Sequence, residues 1–461
     1  MSELFKHANN RALTANGAET YASSLDACVD FFFLAGSSRG KDISAPFIKA
    51  MYQDKDVALR ILQWMRDVRG GAGERKQFRD LLHLMITDDM PQEAVVAVIH
   101  KIPELGRWDD LHGLFGTKYE FQALHLILTA LKAGNALCAK WTPRKGVVFN
   151  TIRKLLKVTP KQLRKTLVNM SNTVEQKMCA KLWNEIEFGK LPSIASSRYS
   201  NAFARNSVNY AEYKAGLESG EEKINAGAIF PHDIVTNVMR GQSDIADAQW
   251  KALPDYLEGT TENILPVVDV SGSMCCPVGG ESNVTCMQAA ISLGIYLAER
   301  NKGVFKDKFI TFSESPAFQE IKGSNLKERV HNLERADWGF STNLQEVFKT
   351  VLKVAVSNEL HMREMPSTIL ILSDMEFNSA CHSTNLEVIK ARYERAGYTI
   401  PKLVFWNLRG RVGNSPARAN EENTALVSGF SPAIMKSVLS GEDFTPRGIM
   451  LETVMVDRYA I

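Results

Sequence analysis

The chain has 461 residues, 45% hydrophobic, 23% charged and 9% aromatic, with a formal net charge of +3. That length predicts two or three domains of ordinary globular composition, and no run approaches the 18 apolar residues of a membrane span. The opening MSELFKHANN has no apolar h-region, and seven cysteines (Cys28, Cys138, Cys179, Cys275, Cys276, Cys286, Cys381) form no CxxC pair. These features predict reduced thiols in the cytoplasm and argue against a disulfide frame or a zinc site; a monomer is the expected state. Charge is unevenly spread. Residues 101–205 hold 18 Lys and Arg against 7 Asp and Glu, whereas residues 262–461 hold 21 against 23. A basic segment in a nearly neutral chain points to an anionic partner.

Residues 1–205 read as helices. In SSLDACVDFFFLAG the apolar Leu25, Cys28, Val29, Phe32 and Phe33 recur at helical spacing, with Ser24 as the expected cap and Gly36 as the stop. ERKQFRDLLHLMI repeats the pattern through Phe78, Leu81, Leu82, Met85 and Ile86, and EFQALHLILTALKAG follows it. Short Gly- or Pro-containing breaks favour a stacked array of antiparallel helices, although no repeat period is visible. Residues 214–261 are polar and glycine-containing and read as a linker or returning segment. That makes residues 1–261 one unit.

Within the basic region, Lys140 to Val174 contains Lys140, Arg144, Lys145, Arg153, Lys154, Lys157, Lys161, Arg164 and Lys165 and no acid. Trp141 and Phe149 lie among them. Cations for phosphates with rings for stacking suit sequence-tolerant RNA binding, against the plainer reading of a solvated helical face. RDVRGGAGERKQFR gathers Arg66, Arg69, Arg75, Lys76 and Arg79 around a glycine turn whose N–H groups point to phosphate. The same residues also suit a helix end and a helix start, and no Gly-Lys-Ser/Thr follows to make a P-loop. In GRWDDLHG, Trp108 is expected to be buried, Asp109 or Asp110 to cap a helix, and Arg107 to face an RNA.

From residue 262 to 461 the period changes. Apolar runs ILPVVDV, KDKFITFS, STILILSD and PKLVFWNL alternate with helical CMQAAISLGIYLAER, NLQEVFKTVLKVAV and NLEVIKARYERAG. This predicts a doubly wound α/β domain with ligands beyond the carboxyl ends of its strands. Asp269 ends one strand and Asp374 another, and Ser271 and Ser273 follow the first. Thr342 stands just before a helix. Five hard oxygen ligands (Asp269, Ser271, Ser273, Thr342, Asp374) with few charges suit Mg²⁺. Singly, each also suits a turn or a helix cap.

DVSGS followed by Thr342 and Asp374 resembles the metal-ion-dependent adhesion site of von Willebrand factor A domains. The resemblance implies that the serines and threonine contact the ion, with the aspartates acting partly through water. The helical half, through NGAETYASSLDACVDFFFLAG, RDVRGGAGERKQFRDLL, GRWDDLHGLFG and AKWTPRKG, resembles the TROVE module shared by Ro autoantigen, telomerase-associated and vault proteins. With PKLVFWNLRG, VSGFSPAIMKSVL and VDRYA, the chain is most similar to the Ro-like branch of plants, viruses and bacteria. The resemblance implies a HEAT-like helical ring closed by the A domain, with single-stranded RNA ends in the hole and small structured RNA on a basic outer face. Two functions follow. One is a non-catalytic RNA-binding protein. The other is a metal-dependent protein-interaction scaffold working with a partner such as an ATPase. Hydrolysis would need a second metal or a base beside the ion. No histidine lies near these five residues in sequence; Glu376 is the nearest spare carboxylate, with a surface residue after the strand as its plainer reading.

Overall fold

The computed structural model describes residues 10–242, 245–260, 262–279, 284–312, 316–334, 344–377 and 386–461. A short hairpin, β1 (Arg11–Leu13) and β2 (Glu19–Tyr21), precedes the helices. Then come α1 (Ala27–Ala35), α2 (Ser44–Gln53), α3 (Lys55–Arg66), α4 (Lys76–Thr87) and α5 (Gln92–Leu105). After a 3-10 turn at Trp108–Leu114 follow α6 (Glu120–Lys132), α7 (Ala136–Trp141), α8 (Gly146–Leu155), α9 (Pro160–Ser171) and α10 (Val174–Cys179). Helices α11 (Ser193–Asn206), α12 (Asn209–Ser219), α13 (Pro231–Met239) and α14 (Ala246–Lys251) complete the helical half.

The second half alternates β3 (Ile264–Asp269), α15 (Cys286–Arg300), β4 (Lys308–Phe312), β5 (Ala317–Glu320), α16 (Leu326–Glu334) and α17 (Leu344–Ser357). It continues with β6 (Thr368–Ser373), α18 (Leu386–Arg395), β7 (Lys402–Asn407), β8 (Thr424–Ser428), α19 (Met435–Ser440) and α20 (Pro446–Val454). The sheet order is β5-β4-β3-β6-β7-β8, parallel except for the antiparallel edge strand β5. Val267 stands between Ile310 and Ile371, which sets the register at the centre. Every residue of β3 and β6 is buried. Helices cover both faces of such strands, so they read as unbroken apolar runs rather than alternating ones.

In α1, Cys28, Val29, Phe32 and Phe33 are buried, and Phe32 meets Trp64 of α3 with ring centroids 4.6 Å apart. The start differs from the sequence expectation. Asp26 caps the helix, accepting from the N–H groups of Cys28 and Val29, while Leu25 is exposed at φ 68°. Gly36 sits at φ −81° and is no left-handed stop. A Cβ there would lie 2.6 Å from the Ser428 carbonyl oxygen, so close approach of two backbones requires the glycine.

One hydrophobic core runs through both halves, from α1–α9 into the sheet. Residues 174–245 add a second core built on Phe188, Phe203, Tyr210 and Tyr213, so the array is not one uniform stack. Segment 214–261 is not a solvated linker throughout: α13 packs on α15, and α14 packs against α13 and α16. The helical half therefore starts on the sheet domain, through α1 and β8, and returns to it through α13. No helix among the described residues is long and apolar enough to cross a membrane.

The carboxyl terminus closes the seam. Arg458 donates to fully buried Asp67 from Nε at 2.5 Å and from Nη2 at 2.9 Å, and Tyr459 donates its hydroxyl at 3.1 Å. Burial raises the Asp67 carboxyl, but hydrogen bonds from Arg458 and from the N–H groups of Arg69 and Gly70 outweigh it and hold the group below its usual range. Stability from this group is therefore present above the ordinary aspartate value and is lost as pH falls through the depressed one. Asp67→Asn should cost roughly 3 kcal/mol in urea unfolding at pH 7, because it strands Arg458 and the turn's N–H groups. A midpoint indistinguishable from wild type would contradict this role.

Candidate functional site

Parallel pairing of β3 with β6 brings Asp269 and Asp374 to the same carboxyl edge of the sheet. Asp269 is fully buried. Its Oδ1 accepts from the Ser271 N–H at 2.9 Å and its Oδ2 from Ser373 Oγ at 2.5 Å. Ser271 Oγ and Ser273 Oγ lie 3.0 Å apart. Asp374 Oδ1 accepts from the Glu376 N–H at 3.2 Å, whereas its Oδ2 is buried without a hydrogen-bond partner. Burial first, and the neighbouring Asp374 second, push the Asp269 carboxyl up to about 6. Burial raises Asp374 as well. Two desolvated carboxylates beside two hydroxyls, one with an orphaned oxygen, are a donor set for a hard divalent cation. Thr342 lies outside the described residues. No group of three or more His, Cys, Asp or Glu side chains suited to a metal occurs among the described residues, so the candidate set is carboxylate plus hydroxyl.

The amino-terminal hairpin clasps the loop after Asp374. Thr14 Oγ1 donates to the Phe377 carbonyl at 2.6 Å, and Asn16 Nδ2 to that of Glu376 at 2.6 Å. Glu376 accepts from the Ala15 N–H at 2.5 Å and pairs with Arg411 at 2.9 Å. It is 9% exposed and structural, which corrects its reading as a free surface carboxylate. Three-residue strands without alternation gave no sequence signal for this clasp. On the other side, the loop after Ser273 reaches Gly279, whose Cβ position lies 2.1 Å from the Arg39 carbonyl oxygen at φ 103°.

The basic segment forms α7–α9, with α9 packed on α7. Lys145, Lys154, Lys157, Lys161, Arg164 and Lys165 are exposed, and Lys140, Arg144 and Arg153 are half-buried. Residues 161, 164 and 165 share one face of α9, at spacings of three and four. Lys140 pairs with Glu175 at 3.8 Å. Lys145, Lys154, Lys157, Lys161 and Lys165 meet no carboxylate within 4 Å among the described residues. Arg153 Nε is a buried donor without a partner. Arg144 instead donates to the carbonyls of Ala139 and Thr142, capping α7. The two rings are not free platforms. Phe149 is buried under Arg164, whose guanidinium lies 5.3 Å from the ring, and Arg107 covers Trp141 at 3.7 Å.

The glycine turn is likewise used internally. Gly71 and Gly73 donate to the Asp67 carbonyl, Ala72 to Trp64 and Glu74 to Met65, while Arg69 donates to the Asp67 carboxylate. The expected phosphate nest is thus filled by the chain's own aspartate. Arg66 is 3% exposed and pairs with Asp110 at 2.7 Å, which removes it from any RNA-facing surface. Asp110 also holds Arg79 at 2.6 Å and caps the Arg107 N–H at 2.9 Å, while Trp108 is buried. The Arg107 guanidinium grips Asp109. Arg69, Arg75 and Lys76 are exposed, though Lys76 pairs with Asp80 at 2.7 Å. Desolvation first, then nearby Arg107 and Arg66, lowers the Arg75 pKa against the opposing pull of Asp109 and Asp110.

A domain of unknown function, DUF7788, matches residues 263–457, and a second, DUF2828, matches residues 14–98 and 132–262. Uncharacterized protein L728 of Acanthamoeba polyphaga mimivirus is 32% identical over 508 aligned positions, spanning 96% of this chain and 87% of that protein. Among solved structures, the RO (RSR) protein of Deinococcus radiodurans aligns over 94% of this chain and 100% of its own, at 13% identity and a TM-score of 0.45.

The raised Asp269 carboxyl sets a measurable sign. A folded-state value above the ordinary 3.8 means that stability is lost as pH rises from there through about 6. In chelator-containing buffer, Asp269→Asn should melt above wild type at pH 7.5, with the gap narrowing at pH 5. A variant that melts lower at both pH values would refute the buried-charge account.

Proposed function

The chain belongs to the family of the mimivirus protein L728, and within it we propose a non-catalytic RNA-binding protein of the Ro type. The observation that carries this reading is the surface of α7–α9, where Lys145, Lys154, Lys157, Lys161 and Lys165 stand without acid partners among the described residues. A face of unpaired ammonium groups is suited to a phosphate backbone, where affinity comes largely from counterion release. Because Phe149 and Trp141 are covered, recognition here rests on charge rather than on stacking. The substrates that fit are single-stranded ends and small structured RNA.

The helical half begins and ends on the sheet domain, which supports a HEAT-like ring closed by a von Willebrand factor A domain. In this reading Arg69, Arg75 and Lys76 line the ring, and Arg107 contributes what its contact with Asp109 leaves free. The parallel sheet, with Asp269 and Asp374 on neighbouring strands, supports the A-domain reading. Mg²⁺ would be held by Asp269, Ser271, Ser273 and Asp374 together with Thr342, supplying positive charge where two carboxylates are otherwise crowded. The scaffold alternative, with a partner's carboxylate on the ion, has less support because this chain's own hairpin already clasps the loop beside Asp374.

Reversing Lys145, Lys154, Lys161 and Lys165 to Glu should weaken single-stranded RNA binding in low salt by roughly a hundredfold. The salt-dependence slope should fall by about 3, since each phosphate contact on a single strand contributes about 0.7. Fluorescence anisotropy across a salt series measures both. An equal loss on reversing four lysines of the sheet domain would reduce the bundle to a solvated face.

A further inference from the structure

A cleft of about 760 Å³ opens where the two halves meet, remote in sequence from the lysine bundle and from Asp269 and Asp374. Tyr21, Leu25 and Asp26 form one wall, and Arg418, Glu421 and Arg447 form the other. Backbone bonds fix the walls to each other: Ala419 donates to the Ser24 carbonyl at 2.9 Å, and Arg447 to the Ala419 carbonyl at 2.9 Å. The cleft is thus a built feature of the junction.

Its polar groups are unbalanced. The Arg418 guanidinium lies over the Tyr21 ring at 4.9 Å and has no ion-pair partner among the described residues. Arg447 spends Nη1 on Asp26, whose other oxygen caps α1. That leaves Nε and Nη2 without a described acceptor. Glu421 is turned to the Arg418 backbone N–H at 3.1 Å. Free donors therefore exceed free acceptors, and they belong to two guanidinium forks that match phosphate oxygens in pairs. Arg418 covers one face of the Tyr21 ring, so a planar ring would stack on the guanidinium of that pair, beside the exposed Leu25. We propose that this cleft binds a nucleotide, the phosphate on the guanidinium edges of Arg418 and Arg447 and the base on the Arg418–Tyr21 stack.

This site does not rest on the lysine bundle, and its test keeps the two apart. Calorimetric titration of the full chain in low salt would use uridine 5′-monophosphate, uridine and inorganic phosphate. The nucleotide should bind about tenfold or more tightly than either fragment, because only it engages both features. Arg418→Glu, an exposed position, should weaken the nucleotide at least tenfold with an unchanged melting temperature. Tyr21→Ala should reduce the nucleotide to the affinity of phosphate. The quadruple Lys→Glu variant of the bundle should leave these values unchanged, whatever it does to RNA. A short RNA with and without a 5′-phosphate, used as competitor, separates an RNA end from a free nucleotide, and either source satisfies the proposal. Equal affinity for nucleotide and phosphate, or an Arg418→Glu variant that binds like wild type, would overturn it.

Discussion

Helix α1 ends directly on strand β8, and the rest of the architecture is organised around that contact. The Gly36 N–H donates to Ser428 Oγ at 3.0 Å, and the same hydroxyl donates to the Phe32 carbonyl at 2.9 Å. Asn407, at the end of β7, donates to the Phe33 carbonyl at 3.3 Å. The last carbonyls of a helix need partners, and here the sheet supplies them. An array of helices also has terminal faces to cover. Fixing α1 to β8 and α13 to α15 covers both on one domain. The carboxyl edge of the sheet is thereby divided: β7 and β8 hold the helical half, while β3 and β6 present Asp269 and Asp374.

Charge is divided in a parallel way. Buried acids in the first half hold arginines: Asp67 takes Arg458, Asp110 takes Arg66 and Arg79, and Glu74 takes Arg39 at 2.7 Å. A planar guanidinium can satisfy a buried carboxylate with two directed bonds, which an ammonium cannot. Lysines collect instead on α8 and α9, where none of them pairs with an acid among the described residues. Paired arginines therefore build the helical half, and unpaired lysines give it an outward field.

Much of this was legible in the sequence, for identifiable reasons. Strands β3, β6 and β7 are covered on both faces, so four or five consecutive apolar residues disclose them. Asp269 and Asp374 announce themselves as carboxylates that directly end or follow such runs. The exposure of Lys145 to Lys165 follows from the absence of acids. Phe149 recurs with Ile152 at helical spacing and belonged to the core by that criterion. What escaped is held by distant partners. Arg66 looks free until Asp110 is folded beside it, and the glycine turn looks like a phosphate nest until Asp67 fills it. Asp67 meets Arg458 across 391 residues of sequence. The hairpin β1–β2 and strand β8 are short, and their meaning lies in what they touch rather than in their pattern.

The central claim is that RNA lies along α7–α9. Ultraviolet crosslinking of the full chain to a uridine-rich single strand, followed by peptide mass spectrometry, tests it most directly. The account predicts crosslinks concentrated in peptides spanning residues 140–170, competed away by salt. Crosslinks confined to the sheet domain, with the 140–170 peptides unmodified, would contradict it.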